Sequence, residues 1–334
     1  MAAMEAQRHP DDFDGIISGG PSLAATGLEV FFAWLVRANA GPDGKGILTL
    51  PKILLIADAV LKRCDALDGL ADGILSDPVA CDFTPASLAC KAGASESCLS
   101  AAEVRVAEKW YEEPRNSRGE RLYPGGLPRG SEPYWPHWLT GRDPDGPRPV
   151  LYPLCEDFLR YMAFPDDPGD GYQVSSFDFD RDPPRMQLMA TLYDATSPDL
   201  SKFRARGGKL LMYHGWADPL VTPQRTLEYH AAVEKAMGGR AAVADFYRLF
   251  MVPAMGHCGV EPEGPGITAT GFDPLTALEK WVEEGIAPDS LLTTKTDKEG
   301  KTLWTRPVCP HPQVARYGGT GDPKDAASFD CAEP

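Results

Sequence analysis

The chain has 334 residues, 43% hydrophobic and 24% charged, which is enough apolar material for one large domain or two. Acidic residues exceed basic ones by 48 to 33, and the formal charge of -15 repels phosphate backbones and anionic lipid, so no nucleic acid and no membrane partner is expected. No apolar run approaches the roughly 18 residues of a membrane-spanning helix.

Residues 1–8, MAAMEAQR, are strong helix formers stopped at Pro10, and Phe13 to Ile17 begins like a buried strand. Ser18 follows at the strand end, in DGIISGGP. From about residue 25 to 200 the chain is loop-rich. Helices are predicted at Leu28 to Ala38, at Pro51 to Arg63 and after Ser100, where Glu103 completes a capping box. Between Pro114 and Pro153, Pro and Gly crowd around Tyr134, Trp135, His137 and Trp138, a texture that suits a lid or insertion. From residue 208 the grammar changes. KLLMYHG reads as a strand, and TPQRTLEYHAAVEKAMGG as a helix with Thr222 as N-cap, Pro223 at its first position and Gly238 after its end. ADFYRLFMVPAMGH is another strand running into a loop, and DPLTALEKWVEEG repeats the cap pattern with Asp273, Pro274 and Gly285. Strand, helix, strand, helix with short connections predicts a parallel α/β sheet, whose active sites collect at the carboxyl ends of the strands. His214, Asp218 and His257 fall there.

Asp218, in HGWADPLVTP, and His257, in VPAMGHCG, stand just beyond consecutive strands. An acid and then a histidine on neighbouring late loops is the order of an α/β hydrolase, in which the acid orients the imidazole and the imidazole takes a proton from a serine. The alternative for each residue alone is a turn-forming aspartate and a loop-satisfying histidine. No G-x-S-x-G turn is present. Ser18 comes closest, but Ile16 occupies the place of the first glycine.

Two further features carry chemistry. Asp65, Asp68 and Asp72 lie on a Gly-broken loop and offer the hard oxygen donors that calcium prefers, without EF-hand spacing; a run of Asx turns would use the same residues. Eight cysteines, at 64, 81, 90, 98, 155, 258, 309 and 331, sit mostly in Gly/Asp/Pro-rich stretches and favour disulfides in an oxidising compartment. A C-x-x-C spacing is missing, so zinc is not expected, and no signal-peptide pattern is legible. Spacing alone leaves the disulfide connectivity open.

MEAQRHPDDFDGIISGGPS, CDALDGLADGILSDPVACDF, FDFDRD, YHGWADPLVTP and MVPAMGHCGV, in this order, resemble the tannase and feruloyl esterase family, which also contains a mono(hydroxyethyl) terephthalate hydrolase. The resemblance runs through nearly the whole chain. It implies an α/β class, specifically a partial α/β-hydrolase fold, with residues 1–24 and 200–334 forming an incomplete hydrolase domain and residues 25–199 an inserted lid. It implies serine-type hydrolysis of an aromatic ester, a gallate, hydroxycinnamate or similar, with Asp218 and His257 catalytic, a structural calcium and no organic cofactor.

By the same resemblance calcium is held by Asp65, Asp68 and Asp72 and by the carbonyls of Leu70 and Ile74. Cys64 pairs with Cys81, Cys90 with Cys98 and Cys309 with Cys331. Cys258 stands without its partner, Cys155 has no assignment, and His214 lies near the substrate or else satisfies a buried backbone group. The family's G-C-S-x-G-G elbow precedes the helix that ends in MEAQRHP, so the nucleophile is expected before residue 1 and the protein is expected to be secreted or periplasmic. Phe158, Tyr161, Phe164, Tyr134, Trp135 and Trp138 are candidates for an aromatic slot with Arg160 for a carboxylate, although core packing explains the same residues. The rival expectation is an inactive remnant or a calcium-stabilised binding module.

Overall fold

The structure is a computed structural model that describes residues 1–42, 44–91, 96–143, 146, 148–261 and 264–333. The opening residues form α1 (Ala2–Arg8), whose Ala3 and Ala6 are buried, and β1 (Gly15–Gly19) follows. Residues 25–199, the expected lid and called so below, carry α2 (Ala25–Ala38), α3 (Leu50–Cys64), α4 (Ala101–Tyr111), α5 (Leu151–Tyr161), α6 (Asp182–Arg185) and α7 (Gln187–Tyr193). The predicted capping box at Ser100 is formed: Glu103 N donates to Ser100 Oγ, and Ser100 N donates to the Glu103 carboxylate at 2.6 Å. Tyr134 ends a 3₁₀ turn, and Pro136–Thr140 make a single π-helical turn, so the Pro-rich stretch is locally ordered.

After α8 (Ser201–Ala205) the chain enters β2 (Lys209–Gly215), α9 (Pro223–Met237), α10 (Arg240–Ala244), β3 (Tyr247–Val252) and α11 (Pro274–Glu284). The sheet is parallel in the order β1-β2-β3, with Gly15 opposite Lys209 and Gly215 opposite Val252. Period-two alternation puts its residues into two cores. Leu210, Met212, Tyr247 and Leu249 join Ala3, Ala6 and Phe203 on one face, while Leu211, Phe250 and Val252 meet Trp281 and Leu291 on the other. Burial of both faces explains why these strands read as unbroken apolar runs.

Asp273 caps α11 by accepting from Thr276 N at 3.0 Å, as its position predicts, and Gly238 and Gly285 end α9 and α11 at φ of 97° and 73°. Thr222 does not cap α9 through its side chain; its hydroxyl is drawn instead to the carbonyl of Pro124 in the lid. The carboxyl-terminal region holds two antiparallel pairs beyond the predicted elements: β4 (Leu291–Thr296) with β5 (Thr302–Val308), and β6 (Val314–Tyr317) with β7 (Phe329–Ala332). Their alternation is weak because β6 and β7 bury almost no side chain and β5 only its Arg306 and Val308.

A third core fills the lid. Phe31, Trp110, Trp135, Leu159 and Phe177 are among its fully buried members, and Ala217, Leu220 and Val221 reach it from the loop after β2. Disulfides join Cys64 to Cys81, Cys90 to Cys98 and Cys309 to Cys331. Among the described residues no helix is long and apolar enough to cross a membrane.

Candidate active site

β2 and β3 end side by side, and the loops that leave them touch. Trp216 N donates to Val252 O at 2.9 Å and Ala217 N to Met255 O at 3.0 Å. Gly215 makes this approach possible, because a Cβ there would sit 2.2 Å from the carbonyl oxygen of Met255. Asp218 and His257 are thereby brought together across 39 residues of sequence: His257 Nδ1 donates to Asp218 Oδ2 at 2.8 Å.

Asp218 is wholly buried, and its other oxygen accepts from Leu220 N at 2.9 Å and Val221 N at 2.8 Å. Burial by itself would raise its pKa, but hydrogen bonds from His214 and His257 and their charge outweigh this and hold the carboxyl below its ordinary range. Burial likewise works to lower the pKa of His257. The Asp218 hydrogen bond and charge, with a contribution from Glu261, reverse it and leave the imidazole above its ordinary value. The acid thus stays ionised while the histidine is made a better base. Among the described residues no side chain hydrogen-bonds Nε2 of His257, the nitrogen that would face a nucleophile.

The histidine loop is bent sharply. Ala254 and Cys258 both take φ of 52°, a region that side-chain-bearing residues seldom adopt and that clusters at functional sites. Lid side chains hold it there. Tyr134 Oη donates to Ala254 O at 2.7 Å, Trp138 Nε1 donates to Glu261 Oε1 at 2.7 Å, and the Trp138 ring stands perpendicular to the imidazole at 5.7 Å.

Other predicted residues find different places. His214 is completely buried: Nε2 donates to Val221 O at 2.7 Å and lies 3.3 Å from Asp218 Oδ2, and Nδ1 accepts from Thr226 at 2.8 Å. With both nitrogens engaged and no surface open, it braces the acid loop. Arg160 donates to the carbonyl of Tyr172 and pairs with Glu156, so its guanidinium is engaged within the lid. Of the proposed aromatic slot, Tyr134, Trp135, Trp138 and Phe164 are buried, Phe158 packs edge-on to Tyr193, and Tyr161 is exposed. Of these, Trp138 stands against the histidine ring. Ser18 is buried in β1.

The acidic loop folds on itself. Asp65 Oδ1 accepts from Gly73 N, Asp68 from Leu70 N and Ser76 N, and Asp72 from Ile74 N, while the buried Arg306 of β5 pairs with Asp72. Burial, with the Asp72 charge added, holds the Asp68 carboxyl above its ordinary range. Among the described residues no three His, Cys, Asp or Glu side chains converge as a metal cage, but the donor types are those of a calcium loop. Cys155 is buried and Cys258 half-buried, both without a disulfide partner; Gly20 packs against the Cys258 sulfur, which a Cβ would approach to 2.7 Å.

A parallel sheet with an acid and a histidine on adjoining strand-end loops defines an α/β-hydrolase-like protein. Residues 2–332 match the tannase and feruloyl esterase family, and the chain belongs to that family. It is 36% identical to an uncharacterized esterase of Xanthomonas campestris pv. campestris, over 99% of this chain and 63% of that protein. Identity to the mono(2-hydroxyethyl) terephthalate hydrolase of Piscinibacter sakaiensis is 35%, over 99% of this chain and 61% of that one. The crystal structure of feruloyl esterase B from Aspergillus oryzae superposes with a TM-score of 0.83 at 27% identity, covering 99% of this chain and 66% of its own. The chain therefore spans about three fifths of the length of the curated relatives it matches.

Proposed function

We propose that the protein is a serine-type carboxylic-ester hydrolase for aromatic esters, and the observation that carries this reading is the buried Asp218 held 2.8 Å from His257 Nδ1. Asp218 fixes the tautomer, leaving Nε2 to take the proton of a serine hydroxyl as the oxygen attacks the ester carbonyl. The resulting imidazolium returns that proton to the departing alcohol, and water releases the acyl group by the same steps. We place the serine outside the 334 residues, because none of the described hydroxyls reaches Nε2. Feruloyl esterase and mono(2-hydroxyethyl) terephthalate hydrolase among the relatives support an aromatic acyl group.

Protein expressed from the whole open reading frame is to be assayed with methyl ferulate, methyl gallate and mono(2-hydroxyethyl) terephthalate. Turnover of at least one is expected, reduced by about 10⁴-fold in Asp218→Asn and by on the order of 10⁶-fold in His257→Ala. Full activity in either variant overturns the assignment. The second reading, a non-catalytic binding module, rests on the unpartnered Nε2; labelling of the protein from the whole open reading frame by a fluorophosphonate probe, abolished by Asp218→Asn, would exclude it.

Calcium belongs to the same proposal. Asp65, Asp68 and Asp72 with the carbonyls of Leu70 and Ile74 would hold it, and the ion would neutralise the acidic loop that braces the lid. Chelation with EGTA is expected to lower the melting temperature and added calcium to restore it; an unchanged melt would remove the metal from the account. Three disulfides support an oxidising compartment, periplasmic or extracellular, for which recovery of the protein from those fractions is the check.

A further inference from the structure

Glu261 takes no part in the acid–base pair, yet it is 5% exposed, and among the described residues no Lys or Arg pairs with it. A buried carboxylate without a counter-cation is costly unless its hydrogen bonds are satisfied. Two N–H groups from different parts of the molecule meet on its Oε1: the indole of Trp138 from the lid at 2.7 Å and the backbone N–H of His257 at 2.7 Å. The loop is shaped around this carboxylate. A Cβ on Gly256, immediately before the histidine, would lie 2.5 Å from both carboxylate oxygens.

We infer that Glu261 is a positioning residue that fastens the lid to the catalytic histidine, so that closure of the lid and the placement of the imidazole are one event. This rests on the ester-hydrolase reading. The single oxygen joins the two: when the Glu261 carboxylate is lost, the Trp138 indole and the His257 backbone N–H lose their shared acceptor together, and the strained turn between Ala254 and Cys258 is left with Tyr134 on Ala254 O and Ala217 on Met255 O. The charge has a second effect, since a desolvated carboxylate beside the imidazole favours its protonated form, the state that turnover creates. The titratable groups around the ring are Asp218 on Nδ1, Glu261 beneath the backbone, the Cys258 thiol and, beyond it, Tyr213; His214 lies on the far side of Asp218, and His137 stands against the outer edge of Trp138.

The test needs no turnover. Nuclear magnetic resonance on the protein follows the titration of the His257 ring and the Trp138 indole proton, assigned with His257→Gln and Trp138→Phe. Glu261→Gln keeps an acceptor oxygen and removes the charge: the indole proton is expected to stay hydrogen-bonded while the His257 midpoint moves down. Glu261→Ala removes both, so the midpoint falls and the indole proton becomes exchangeable with water. An unchanged midpoint in Glu261→Gln, or a protected Trp138 indole in Glu261→Ala, overturns the inference. Asp218→Asn separates the two claims, because a His257 midpoint unmoved by that variant refutes the acid–base reading itself, whatever Glu261 does.

Discussion

In the sheet, Leu210, Met212 and Tyr247 turn to one core while Leu211, Phe250 and Val252 turn to another, and this division follows from the strand period alone. In the lid, Trp110, Trp135 and Phe177 reach one another from helices and turns far apart in sequence, and two disulfides close the loops between. The sheet sets positions by a hydrogen-bond ladder that places every residue at once. The lid sets them by side-chain fit, loop by loop. The candidate site uses both: Asp218 and His257 come from the sheet, whereas Trp138 and Tyr134, which hold the histidine loop, come from the lid.

The largest effect that would test this contrast is a cavity in the sheet. Phe250 is fully buried in β3, and Phe250→Ala is expected to cost about 3–5 kcal/mol. Hydrogen exchange should show the loss in β1, β2 and β3 with the protection of α2 and α4 less affected. An equal loss in both regions would mean that sheet and lid unfold as one unit.

The two regions also differ in their response to pH. Burial pushes the Glu132 carboxyl of the lid up to about 7, from an ordinary value near 4.5, although Tyr111 Oη and Gly130 N donate to it. Its folded form keeps a proton that the unfolded form has lost, so stability declines as pH rises from about 4.5 to about 7, by on the order of 3 kcal/mol at most. At the site the two groups respond in opposite senses, Asp218 against Glu132 and His257 with it. The depressed Asp218 contributes above its unfolded pKa and loses that contribution only as pH falls through its folded value. The raised His257 contributes fully below its unfolded pKa and loses that as pH rises through its folded one. Denaturation at pH 5 and pH 8 is expected to show a smaller decline for Glu132→Gln than for the parent. An unchanged slope would assign the decline elsewhere.

Much of this was legible before any fold. Apolar runs bounded by Thr222, Pro223, Gly238, Asp273 and Gly285 mark β2, α9, β3 and α11, because cap and turn chemistry is local and acts within a few residues. The order of Asp218 and His257 after successive strands was legible for the same reason. The three disulfide pairs were legible only through family resemblance, since spacing leaves connectivity open.

Glu261 and Arg306 could not be read at all. Each is one charged residue among many, and what distinguishes it is burial against a partner 123 or 234 residues away. His214 was half legible: its place at the strand end is local, but its enclosure by Val221, Thr226 and Asp218 is not.

Sequence by itself determined β2, α9, β3 and α11, the ends at Gly238, Asp273 and Gly285, and the candidate pair Asp218 and His257, because those depend on short-range backbone preferences and on residue type. Tertiary structure alone decided which aromatic of the lid meets the histidine, which histidine is sealed from solvent and which carboxylate ties the two halves together. Burial and the meeting of distant donors and acceptors exist only once the chain has closed on itself.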